Sequence, residues 1–377
     1  MASLNLRRGG MEKVLLLLAR ELKKLGQQVK IILIYGPVDY GDVLKEYGLD
    51  YEMLFPGTIP YFWTNLYHYA SHFRKAVRNY QADVVCAFGG QTLIISKFAG
   101  FLPLVLSAQN ASSLHWRMNR PGYILLRFLE RWAISSRGTH VIGCSPSVFT
   151  VYKERFRIPD HRLHMIWNTS DVDAFERPYH QIDQQRPKIL CVGTLYYQKN
   201  FEMALRALAT LHDCGIRAHL QFAGDGEDRL VLERTADELG IGNHVTFLGR
   251  RTDIANIMGS SDFLWMTSRY EGFALVVVEA MAARLPIVAT RVAGLIDAIE
   301  DGMTGFLVGL DDWRAMAQVT ETAIHDTEAR KRLVENAHRT AMTRFHPSNM
   351  TKQYLLVLQD IVQNRIVKYN SLISNKD

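Results

Sequence analysis

Apolar residues recur along this chain in two rhythms. In MEKVLLLLARELKKLG (11–26) they fall three and four apart, with Lys, Arg and Glu between them, which predicts an amphipathic helix. VKIILIYG (29–36) follows it as an unbroken apolar run, too short for a helix, and predicts a strand buried on both faces. DVVCAFG (83–89), LPLVLSA (102–108) and THVIGCS (139–145) repeat the strand signal. After the polar segment QIDQQRPK (181–188) the alternation restarts. KILCVGTL (188–195) reads as a strand, FEMALRALATLHDCG (201–215) as a helix, and AHLQFAGDG (218–226) as a strand entering a glycine loop. HVTFLGR, DFLWMTS, PIVATRV and GFLVG continue the series. Such alternation predicts parallel sheets covered by helices on both faces. Broken off once and resumed, it predicts an α/β chain of two doubly wound, Rossmann-like domains facing across a cleft. The expected division is 1–177, 178–345 and a helical segment 346–377 returning to the first domain. Only MASLNL and two arginines precede Gly9–Gly10, so Met1–Leu6 is expected to form a short strand beside 29–36. The alternative is a chain that starts inside a longer one.

Length and composition agree with two ordinary cores: 377 residues, 48% apolar and 22% charged. The longest weakly polar stretch, 92–108, is interrupted by Lys97, Gly100 and Pro103, and no membrane span is expected. MASLNLRRGG has no apolar core of a signal peptide, and Cys86, Cys144, Cys191 and Cys214 share no metal or redox spacing. A cytoplasmic protein with free thiols is the expectation. Charge is uneven. Residues 1–177 hold 22 Lys and Arg against 14 Asp and Glu, which leaves 22 against 24 for the remainder. The basic half suits an anionic membrane surface or a phosphate-bearing ligand. Within it, 61–80 and 114–134 interleave aromatic rings with cations, as an interfacial membrane contact requires. No nucleic-acid-binding module is present, and no nucleic-acid partner is expected.

In doubly wound sheets ligands bind at the carboxyl ends of strands, and the candidate chemistry lies there. Glu271 and Gly272 follow DFLWMTS and precede a helical run from Leu275, whose first amides suit a phosphate. Glu279 lies further along a segment that is otherwise apolar here, where an ionised acid needs hydrogen-bond donors such as sugar hydroxyls. Lys199 follows KILCVGTL, within reach of a diphosphate. Gly224–Asp225–Gly226, Leu248–Gly249–Arg250 and Val292–Ala293–Gly294 end three more strands. Singly, each is a turn; together they point to a nucleotide site.

These residues resemble the nucleotide-sugar domain of the family-4 retaining glycosyltransferases, which have the GT-B fold. The E-x7-E pattern is matched by Glu271 and Glu279 within EGFALVVVEAMAARLPIVAT, and G-x-L-x-x-x-K by GTLYYQK (193–199). GDG, FLG and DGMTGFLV (301–308) follow in the family's order, GGMEKVLLLLARELKKLG is similar to its GG-x-E loop, and IWNTSDVDAF to its domain boundary. The resemblance implies that Glu279 binds ribose hydroxyls and Glu271 the donor sugar. It implies that Gly272 and the amides of Phe273, Ala274, Leu275 and Val276 serve sugar and phosphate, with Gly249 at the base. Lys199 would neutralise the leaving diphosphate, and Gly9–Gly10 would close over the donor. Two positions depart from the pattern: Thr194 stands where an Arg is usual, and Gln109–Asn110 where the acceptor side often has a His. Asp171–Val172–Asp173 spells a metal-binding D-x-D, but the family supplies an Asp there, and neither metal nor cofactor is expected. The implied function is retaining transfer of a sugar from a nucleotide-diphosphate donor to a lipid-linked saccharide of surface glycan assembly, at the inner membrane face. A nucleotide-sugar isomerase or hydrolase, or a binding-only relative, remains open.

Overall fold

The computed structural model describes residues 1–56, 65–101, 103–109 and 121–374. It divides into two compact units, Met1–Asn168 with Pro347–Asp377, and Thr169–His346. The first boundary therefore lies nine residues ahead of the expected one. Val172 and Phe175, read from sequence as the end of the first domain, are buried in the second unit, where their short helix packs on the helix that carries Glu279.

The first unit runs β1 (Ala2–Ser3), α1 (Gly10–Lys24), β2 (Ile31–Tyr35), α2 (Gly41–Glu46), β3 (Tyr51–Phe55), α3 (Leu66–Tyr80), β4 (Val85–Phe88), α4 (Gly90–Phe98), β5 (Leu104–Ala108), α5 (Pro121–Ser135), β6 (Thr139–Gly143), α6 (Pro146–Phe156) and β7 (Leu163–Met165). Its seven strands are parallel in the order β3-β2-β1-β4-β5-β6-β7. The expected stub is there: Ala2 and Ser3 pair with Ile32 and Leu33, Ala2 also pairs with Ala87, and Gly9–Gly10 follow. Central strands β4 and β5 are buried at every position, as their unbroken apolar runs require.

The second unit runs α7 (Val172–Phe175), β8 (Lys188–Val192), α8 (Phe201–Asp213), β9 (His219–Ala223), α9 (Arg229–Glu238), β10 (Val245–Gly249), α10 (Ile254–Gly259), β11 (Phe263–Met266), α11 (Leu275–Ala282), β12 (Ile287–Thr290), β13 (Phe306–Val308), α12 (Trp313–His325) and α13 (Thr327–Thr343). Its parallel sheet has the order β10-β9-β8-β11-β12-β13. α11 is LVVVEAMA, with three consecutive valines that lose side-chain freedom in a helix. Burial holds it: Leu275 and every residue from Val277 to Ala282 are enclosed, as a helix apolar on all sides demands. α14 (Pro347–Ser374) then returns to the first unit, packing against α1. No helix among the described residues is long and apolar enough to cross a membrane.

Candidate functional site

Strand order decides where each site lies. In the second unit the sequence of strands reverses between β8 and β11, which are hydrogen-bonded neighbours. The crevice of a doubly wound sheet opens at such a switch point. The loop after β8 carries Lys199 and the loop after β11 carries Glu271, so chain segments 72 residues apart meet there. Lys199 Nζ lies 2.6 Å from Glu271 Oε1, with 15% and 10% of the two side chains exposed. Ser268 Oγ donates to the same carboxylate oxygen at 2.7 Å.

The two loops are fastened by their backbones as well. Arg269 N donates to Gln198 O at 2.8 Å, Gln198 Nε2 to Tyr270 O at 2.8 Å, and Thr267 Oγ1 to Lys199 O at 2.7 Å. Arg269 spans outward, donating to Asn200 Oδ1 at 2.7 Å and Asp311 Oδ2 at 3.2 Å, with its guanidinium over the Tyr197 ring. Ser268, Asn200, Arg269 and Asp311 were not singled out from sequence; only the fold shows that these loops touch. Two glycines are required for close approach. A Cβ on Gly224 would lie 1.8 Å from Gly193 O, and one on Gly294, at φ +82°, 2.6 Å from Glu271 O.

The other second-unit residues expected on the donor side lie in and just before α11, at the end of β10 and in the loop after β8. Gly272 and Phe273 lead into α11, whose N-cap is Ala274, so Leu275 and Val276 open the first helical turn. Amides of a first turn have no intrahelical carbonyl to bind and favour negative charge. Gly249 ends β10 at a register shift, with φ +66°. Thr194 is exposed beside Gly193 and brings no charge. Glu279 differs from the picture drawn by sequence. It is 0% exposed and accepts a hydrogen bond from Ser170 Oγ at 2.8 Å. A ligand hydroxyl reaches this carboxylate only by taking up room that the structure now fills.

Asp173 faces His346 Nε2 at 3.5 Å, and Asp171 stands at the N-cap position of α7. Among the described residues, no three His, Cys, Asp or Glu side chains are grouped to hold a metal ion.

In the first unit the strand order reverses between β1 and β4. Gly9 and Gly10 stand at the end of β1 where α1 begins, and Gly89 and Gly90 at the end of β4 where α4 begins. Gln109 lies elsewhere on that edge and is engaged internally: Asn168 Nδ2 donates to its Oε1 at 2.5 Å, and its Nε2 donates to Ser107 Oγ at 2.8 Å. Asn110 lies outside the described residues. Two buried acids sit against the glycine pairs. Glu12 folds back on Gly9, and burial raises its carboxyl above the usual range. Glu130 of α5 lies against Gly90, where burial raises its carboxyl to about 7 in spite of Arg127 nearby.

Comparison with known proteins places both halves. A model of Glycosyltransferase Family 4 matches residues 8–174, and a model of Glycosyl transferases group 1 matches residues 172–340. The chain is 28% identical, over 94% of its length and 96% of the other's, to a GalNAc-alpha-(1->4)-GalNAc-alpha-(1->3)-diNAcBac-PP-undecaprenol alpha-1,4-N-acetyl-D-galactosaminyltransferase of Campylobacter jejuni. It is 30% identical to the lipopolysaccharide core biosynthesis glycosyltransferase LpsE of Rhizobium meliloti, over 50% of this chain; the match spans only 55% of that protein. The crystal structure of Anabaena Alr3699/HepE in complex with UDP-glucose superposes with a TM-score of 0.81 at 22% identity, over 96% of this chain and all of that one.

Proposed function

The chain belongs to the family-4 glycosyltransferases and has their GT-B fold, and from that premise we propose that it transfers a sugar with retention of configuration from a nucleoside-diphosphate donor to a saccharide acceptor. The observation that carries this reading is the Lys199–Glu271 pair at the β8/β11 switch point, beside the amino end of α11. A cation and first-turn amides stabilise a diphosphate as it departs. Glu271 holds donor-sugar hydroxyls, and Glu279, once released from Ser170, holds the ribose. The amides from Gly272 to Val276 serve sugar and phosphate, and Gly249 borders the base. Transfer assays with a panel of nucleoside-diphosphate sugars test the reading: nucleoside diphosphate released with acceptor present supports it. Isomerisation of the donor, or hydrolysis indifferent to any acceptor, speaks for the other enzymatic readings.

No metal is required in this account, because Lys199 and helix amides supply the positive charge and Asp173 is turned to His346. Turnover is expected to survive millimolar EDTA. Complete loss restored by Mn²⁺ or Mg²⁺ would overturn that assignment and return attention to Asp171 and Asp173.

The acceptor is proposed to be lipid-linked, presented at the inner face of a membrane. Supporting this is α5, whose outer face exposes Ile124, Leu125, Phe128 and Trp132 together with Arg127 and Arg131. Phe98 of α4 packs on Trp132 with ring centroids 5.6 Å apart and is itself exposed. An apolar stripe flanked by cations, on the basic half of the chain, suits an anionic bilayer surface. Phe128→Glu with Trp132→Glu is expected to weaken binding to vesicles containing phosphatidylglycerol by about tenfold or more. Equal sedimentation of wild type and the double variant with those vesicles would remove α5 from the account.

A further inference from the structure

Glu130 is a polar residue on the wrong face of its helix. α5 turns Ala133 and Ile134 inward, and Glu130 lies with them, only 9% exposed. Its carboxylate has no hydrogen-bond partner among the described residues. A buried acid left in that condition is costly, and the cost shows in its proton affinity, raised to about 7. Its oxygen sits so close to α4 that a Cβ on Gly90 would lie 2.1 Å from Oε1. Of the titratable groups facing it, Arg127 is on its own helix and the buried Tyr152 is on α6; the first turn of α4 has none.

α4 is short of partners too. Its N-cap, Gly89, has no side chain to satisfy the first-turn amides. Thr92, in that same turn, is fully buried with an unpaired Oγ1. Gly89, Gly90 and Gln91 are partly exposed, so solvent reaches this end of α4. It is also the β1/β4 switch point, where Met11, just past the Gly9–Gly10 loop, comes to within 4 Å of a Cβ placed on Gly89. α1 solves the same problem internally, with Glu12 bent over its own first turn. α4 has no such cap.

Helix amides need an acceptor and a carboxylate needs a donor. A hydroxyl is both at once; a phosphate satisfies only the amides and is repelled by an ionised Glu130. Resting on the glycosyl-transfer reading above, we propose that the amino end of α4 is a subsite for the saccharide acceptor, with a sugar hydroxyl donating to Glu130 and accepting from the first-turn amides.

Stability and binding separate this role from that of a mere helix cap. A carboxyl raised in the fold favours the folded state below its ordinary value of 4.5 and withdraws that support as pH rises through about 7. At pH 8, Glu130→Gln therefore raises the melting temperature if the acid is held for a ligand, and lowers it if the acid is a stabilising cap. The full chain is assayed with p-nitrophenyl hexosides and N-acetylhexosaminides as soluble acceptors. Glu130→Gln is expected to melt higher and to raise the acceptor KM by about tenfold or more, with the donor KM unchanged. Gly90→Ala, which drives the carboxylate aside, is expected to raise the acceptor KM in the same way. An unchanged acceptor KM in both variants, or a lower melting temperature in Glu130→Gln, overturns the subsite. Failure of the glycosyl-transfer reading looks different: the wild type itself then releases no nucleoside diphosphate.

Discussion

Lys199→Met is expected to lower turnover by about 10²–10³, the loss that follows removal of one preorganised charge stabiliser. The estimate rests on the place Lys199 occupies. Its Nζ is held 2.6 Å from Glu271, and its chain lies over Gly193, where a Cβ would come 2.8 Å from Cε. Thr194 brings no second cation to the β8 loop, so little is left to share the developing charge. Met preserves the length and packing of the side chain and removes only the charge. The affinity for free nucleotide should fall far less than turnover, since charge on the diphosphate grows as the sugar leaves. Single-turnover rates at saturating donor measure this. A variant within threefold of wild type would mean that helix amides alone stabilise the leaving group.

Glu279→Ala should weaken binding of the free nucleoside diphosphate by about 1.5–3 kcal/mol, the range for hydrogen bonds to a charged group. Glu271→Ala should leave that affinity nearly intact and damage transfer instead. The structure supplies the control. Glu279 is fully enclosed with Ser170 Oγ donating to it, so a purely structural acid would act through that bond. Ser170→Ala removes the bond and keeps the carboxylate. Calorimetric titration of the nucleotide into all three variants decides. If Ser170→Ala weakens binding as much as Glu279→Ala, Glu279 supports the fold around Ser170 and the ribose is held elsewhere.

Much of this architecture is legible in the sequence, because a parallel sheet covered on both faces writes each strand as an apolar run. The runs at 29–36, 83–89, 102–108 and 188–195 all contain strands. β3 is YEMLF, with Tyr51 and Glu52 exposed at the sheet's edge, and without two buried faces it leaves no such run. β7, three residues at the opposite edge, is silent for the same reason. The first unit ends ahead of the expected boundary because the polar segment 181–188 is a stronger signal in sequence than two buried side chains on a one-turn helix. At the site, sequence marks residues whose type is unusual in their surroundings, such as Glu271 and Glu279. It does not show which loops meet. Ser170 lies 109 residues from Glu279, and Arg269 lies 69 from Asn200, so strand order alone makes them neighbours. Glu130 had no signal of its own: an acid in LLRFLERWAI reads as the solvent face until the fold shows which side of α5 is covered.

The central claim is retaining transfer by this chain from a nucleoside-diphosphate sugar. The most direct test is proton NMR of a reaction with an axially linked donor sugar, following the anomeric signal of the newly formed glycosidic linkage. The account predicts a new axial glycosidic linkage that appears in step with free nucleoside diphosphate. An equatorial product, or no product from any nucleoside-diphosphate sugar offered with a saccharide acceptor, would contradict it.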